Sequence, residues 1–157
     1  MSTTVIGVAQ RANLRFFETT VGKKAVMAVS GIILFGFVAG HLAGNLQVYE
    51  GPQKLDAYAR FLRSMPALLW GARITLLVMV ALHIWSAVKL AVLKRKARPV
   101  QYVKRRNVQA SYAARTMYWS GPIVLAFIIF HLLQFTAGTI HPLAAFIYGD
   151  VYHNLVT

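Results

Sequence analysis

Three uncharged or nearly uncharged apolar runs constrain this chain more than any other feature. The first, Ala25 to Leu46, is 22 residues without a charged side chain. About 20 such residues cross the hydrocarbon core of a bilayer as a helix. The second run is Leu68 to Leu93, with Arg73 and Lys89 near its ends, where long side chains reach the headgroups. The third is Thr116 to Thr136, opened by Tyr118 and Trp119 as interface anchors. Pro122 is read in the first turns of that run, where proline costs little. The expected fold is therefore an all-α membrane protein, a helix bundle with three spans at about 25–46, 68–93 and 116–136.

The chain's length of 157 residues allows one domain, and its composition is 57% hydrophobic and 13% charged. Its net charge of +13 would suit nucleic-acid binding. The charges sit between apolar runs and form no face on a soluble core, so nucleic acid is rejected as a partner. The chain has no cysteine, which excludes Cys-ligated iron–sulfur clusters, covalent haem and disulfides within it.

Residues 1–21 read as a cytoplasmic arm. Residues 94–115 read as a basic cytoplasmic loop in contact with lipid headgroups, and 137–157 as an exposed outer loop. Leu55 to Leu62 has the spacing of a short interfacial helix, with Pro66 at its end or at the start of the next. Lys and Arg concentrate before span one and between spans two and three. By the positive-inside rule the N-terminus and the second connection are cytoplasmic, in a multi-pass protein of the inner membrane.

Each run carries one histidine. His41 stands 16 positions after Ala25, and His131 stands 15 after Thr116. At a helical rise of 1.5 Å these are depths of roughly 24 and 22 Å. Both spans run outward, so the two imidazoles match in level near the outer leaflet. His83 lies on the inward-running span, six residues before Lys89, in the inner half. Ionisable groups inside a membrane are costly and mark function. The bland alternative is a packed histidine bonded to a neighbouring helix. Zinc wants four close ligands, whereas two imidazoles at one level suit a haem iron.

The remaining candidates are weaker. Gly36, Gly40 and Gly44 form a stripe on one helix face, for close packing or a haem slot. Ser30 is read first as packing, with a bond across helices or a place near a haem edge as the alternatives. Arg73 and Arg115 are candidates for haem contact or interface anchoring. Glu50, Asp56 and Tyr58 are candidates for the proton exchange and hydrogen bonding that a quinone needs. His141 and His153 are read as solvated loop histidines.

The segments Gly22-Lys-Lys-Ala-Val-Met-Ala-Val-Ser-Gly31, Gly40-His-Leu-Ala-Gly-Asn-Leu-Gln47, Leu55-Asp-Ala-Tyr-Ala-Arg-Phe-Leu62, Leu82-His-Ile-Trp85, Ala97-Arg-Pro-Val100 and Phe130-His-Leu-Leu133 carry a resemblance. Through nearly its whole length the chain resembles the cytochrome b subunit of succinate dehydrogenase and fumarate reductase, in the single-anchor, five-helix, dihaem type. The resemblance implies a membrane anchor for a flavoprotein and an iron–sulfur protein. It also implies two b haems: a distal one on His41 and His131, and a proximal one with His83 as one ligand. Electrons would pass between the iron–sulfur partner and a membrane quinone. Spans four and five of that family are absent from these residues, so the second proximal ligand is expected from outside them. Two alternatives are a cytochrome b anchor of another respiratory complex, such as a hydrogenase or formate dehydrogenase, and a haem-free structural anchor.

Overall fold

The computed structural model describes residues 16–98, 100, 109–141 and 146–157. Arg11 and Arg15 of the arm, Pro99, the Lys104–Arg106 run and Pro142 lie outside the described residues. Those described are helical or irregular, with no strand among them. Three helices are long and apolar enough to cross a membrane.

Helix α1 spans Thr20–Asn45. Its start is fixed by Thr19, whose hydroxyl oxygen accepts from the Gly22 amide at 2.9 Å. This is an N-cap that satisfies one of the amides left without an intrahelical partner. At the far end Asn45 Nδ2 donates to the His41 carbonyl at 2.7 Å. A 3₁₀ turn, Leu46–Glu50, follows. Gly51, at φ 93°, then reverses the chain in a conformation that favours glycine. Helix α2, Pro52–Arg63, begins on a proline, whose missing N–H costs nothing there. The short helix read at Leu55 to Leu62 is thus present and longer, and Pro66 starts the next one.

Helix α3, Pro66–Lys96, is 31 residues long. At 1.5 Å per residue that is roughly 46 Å, well beyond a hydrocarbon core of about 30 Å. Its last turn carries Lys94, Arg95 and Lys96, which complement the negative end of the helix dipole. Helix α4, Tyr112–His131, is capped by Ser111 Oγ, which accepts from the Ala114 amide at 3.2 Å. Because the helix begins four residues earlier than the apolar run, Pro122 lies in its interior and not in its first turns. Proline supplies no N–H to the Tyr118 carbonyl. A π-helical segment, Leu132–Thr136, continues α4 and closes with the Ala137 amide on the Leu132 carbonyl at 2.9 Å.

The chain divides into two compact units. One holds residues 1–45 and 62–101, and within it α1 packs against α3. Their contact is made of small and polar groups: Ser30 and Ser86 are almost wholly buried. Close approach through small residues is how helices associate in lipid, where apolar side chains gain nothing by leaving the solvent. The large apolar side chains of the spans, among them Phe35, Leu77 and Phe127, stay exposed on the helix surfaces. Leu55 is the one buried hydrophobic residue among those described. A chain folded around a water-excluding core would show the reverse.

The other unit holds residues 46–61 and 102–157. It corrects the reading of 137–157 as an exposed loop. Helix α5 forms at Val151–Val156, capped by Asp150, which accepts from the His153 amide at 2.9 Å. Asp56 Oδ1 accepts from the amides of Val151 at 2.9 Å and Tyr152 at 3.1 Å, tying α5 to α2. Asn154 bonds both backbone groups of Ile147. His141 is buried, not solvated: its Nε2 lies 3.0 Å from the Asn154 carbonyl, and Phe135 and Phe146 face its ring edge-on. Hydrogen bonds between positions so far apart in sequence leave no mark in local composition.

Candidate functional site

The best-defined polar centre lies between α1 and α3, around His83. Its Nδ1 is 3.2 Å from the Met27 carbonyl oxygen and 3.1 Å from Ser30 Oγ. A carbonyl can only accept, so Nδ1 carries the hydrogen. The Ser30 hydroxyl has one proton, and its shortest contact is the Val26 carbonyl at 2.7 Å. The Ser30 oxygen is then free to accept from Nδ1. These bonds place a hydrogen on Nδ1; in the neutral ring the lone pair is then on Nε2. Among the described residues Nε2 has no hydrogen-bond partner.

The sequence builds this centre from one helix face. Met27, Ser30 and Gly31 are spaced three and four apart, so they share a stripe of α1. A Cβ on Gly31 would stand 3.3 Å from His83 Cε1 and 3.6 Å from Nδ1. Its absence lets the imidazole lie against the helix backbone. One turn beyond His83, the Ser86 hydroxyl donates to the His83 carbonyl at 2.9 Å. The glycine stripe behaves differently. A Cβ at Gly36 or Gly40 would meet nothing within 4 Å, and only Gly44 of the three is buried.

His41 and His131 share a local device. His41 is exposed and stacks on Phe37, four residues earlier, at 5.3 Å and 19°. His131 is half-buried and stacks on Phe127, also four earlier, at 5.8 Å and 29°, with Phe135 at 5.2 Å on the following turn. Such pairs hold a ring's orientation with about 1 kcal/mol beyond simple burial. His41 belongs to the first unit and His131 to the second.

The other candidates are accounted for individually. The Arg73 guanidinium lies over the Trp70 ring at 5.1 Å, a pairing typical of an interface anchor. Arg115 is exposed in the first turn of α4. Glu50 pairs with Lys54 at 3.6 Å, both largely exposed, a pair worth little in water. Asp56 is engaged with the start of α5, a structural task that sequence reasoning did not give it. Tyr58 is half-buried on α2.

Sequence reasoning missed Met27, Gly31 and the three phenylalanines. The repeated spacing Phe37-x-x-x-His41 and Phe127-x-x-x-His131 was the available signal. Among the described residues no group of three or more His, Asp or Glu could hold a metal ion through side chains alone. Compared with protein-family models, curated proteins and solved structures, the chain gives no match.

Proposed function

We propose that this membrane protein is the haem b-carrying anchor subunit of a succinate:quinone oxidoreductase. The observation that carries the reading is the His83 imidazole. It is held between two membrane helices by hydrogen bonds to Nδ1 alone, with its Nε2 lone pair unused. That is the arrangement of an iron-ligating histidine, whose other nitrogen is oriented by a backbone carbonyl or similar acceptor. The donor set fits haem, which asks for axial imidazoles only. When bound, the haem supplies one-electron transfer.

The chain's own residues orient and insulate. Met27 and Ser30 hold the His83 ring by its Nδ1 and so fix its orientation. Phe37, Phe127 and Phe135 hold the rings of His41 and His131, which on their matched depth in sequence are assigned to a second haem. The Lys and Arg distribution assigns the start of α1 and the end of α3 to the cytoplasmic face of the inner membrane. There the anchor receives an iron–sulfur partner and its flavoprotein, and electrons leave to quinone. Glu50 and Tyr58 stay as candidates for quinone contact.

The test is a reduced-minus-oxidised spectrum of the purified complex, with assay of the subunits that come with it. A b-type band that weakens in His83→Ala, together with a succinate-oxidising flavoprotein, is expected. A complex with no such band overturns the haem reading, and a band without that flavoprotein overturns the assignment to succinate oxidation.

A further inference from the structure

A second site lies at the end of the α1–α3 pair where α1 begins and α3 ends. It is a half-open cavity of about 360 Å³. Lys23, Lys89 and Lys96 line it, together with Trp85 and Phe17. On α3 the positions 85, 89, 92 and 96 recur at spacings of four, three and four, so they form one stripe. At 3.6 residues per turn that stripe lies roughly half a turn round the helix from His83. The cavity is therefore separate from the His83 centre.

Its charge is unbalanced. Lys23 is only 8% exposed, and its Nζ donates to the Glu18 backbone carbonyl. An ammonium has three donors, and a backbone carbonyl brings no countercharge. Among the described residues no carboxylate pairs with Lys23, Lys89 or Lys96. The one acid among the lining residues is Glu18, against three lysines. A buried cation without a counter-ion is costly, and a bound anion would offset that cost. The rest of the wall is apolar, with Phe17, Val92 and Leu93 beside the lysines. A tryptophan at this level is typical of the headgroup boundary.

We propose that this cavity binds the phosphodiester headgroup of an anionic phospholipid. The phosphate meets Lys23 and Lys89, Lys96 closes the polar side, and an acyl chain passes Trp85 toward the hydrocarbon. The small concave volume suits a headgroup, whereas an acidic protein surface would need a broad, open basic face. Basic pockets between helices at a cytoplasmic boundary are a general way of holding such lipids. The proposal rests on the membrane placement of α1 and α3 and is independent of the haem reading.

The experiment uses the complete complex in detergent, stripped of lipid and then exposed to mixed micelles. Lipid bound to this subunit is counted by native mass spectrometry. One phosphatidylglycerol should be retained in preference to phosphatidylcholine. The half-saturating mole fraction should rise roughly fivefold for each lysine removed, in Lys23→Gln and in Lys89→Gln. Lys24→Gln, exposed on the neighbouring position, should leave it unchanged. Lys89 is exposed, so its variant keeps the test decisive if Lys23→Gln fails to fold. Equal retention of both lipids, or no response to Lys89→Gln, overturns the proposal. Full displacement by inorganic phosphate would make the site one for a free anion and also overturn it. So would release of the soluble subunits by Lys89→Gln with lipid retention unchanged, which would give the cavity to a protein partner.

Discussion

The Met27 carbonyl oxygen stands 3.2 Å from His83 Nδ1, across 56 positions of sequence and between two different spans. That single contact decides which nitrogen of the imidazole is available. It also makes a backbone group, which no side-chain substitution removes, the principal restraint on the ring.

The first prediction separates the two restraints. Ser30→Ala removes the hydroxyl at 3.1 Å and leaves Met27 in place. The α1–α3 pairing should weaken by about 0.6 kcal/mol, the average for a hydrogen bond between membrane helices. The b-type band should persist with a shifted midpoint potential. A potentiometric titration of the purified complex checks this, and loss of the band on Ser30→Ala would contradict it.

Gly31 should tolerate no large side chain. A Cβ there already comes within 3.3 Å of the ring, so Gly31→Leu must move His83. The expected result is loss of the same spectral contribution that His83→Ala removes. Gly71→Leu serves as the control, since a Cβ at Gly71 meets nothing within 4 Å. Equal effects of the two leucines would refute the close approach.

Phe37→Ala and Phe127→Ala should act alike. Each removes a ring stacked on a histidine one turn later, worth about 1 kcal/mol. Haem retention during purification should fall, and the low-spin signal in electron paramagnetic resonance should broaden as the imidazole planes loosen. Unchanged line shape in both variants would mean that the rings do not set the imidazole planes.

Asp56→Ala should release α5. It deletes the acceptor of two amide hydrogen bonds, at 2.9 and 3.1 Å. Bonds to a charged acceptor contribute about 1.5–3 kcal/mol each, and half-exposure of Asp56 puts these near the lower figure. Limited proteolysis around residues 146–157 should quicken severalfold, while the His83 spectrum stays as it was.

The spans were legible because length and apolarity are strong, local signals. Pro66 could also be placed, as proline at a helix start is a local rule. The helix ends were read too short, since Thr19 and Ser111 cap outside the apolar runs that marked the spans. His83 was picked out by type and depth, but its partner is a backbone carbonyl, and every residue has one of those. The fold of 146–156 was hidden for another reason. Asp56, His141 and Asn154 are ordinary loop residues in sequence, and only closure of the chain brings Asp56 to the start of α5 and His141 to Asn154.

The π-helical segment directly after His131 has a consequence for chain length. Hydrogen bonding from Leu132 to Ala137 accommodates one more residue than an α-helical turn does. Deleting a single residue within 132–136 would let the segment relax to α geometry and swing everything after it by about 100°. His131 and the helix before it would keep their phase. The segment thus acts as a phase joint: the imidazole and the residues after the segment can be rotated independently by changing one residue of length.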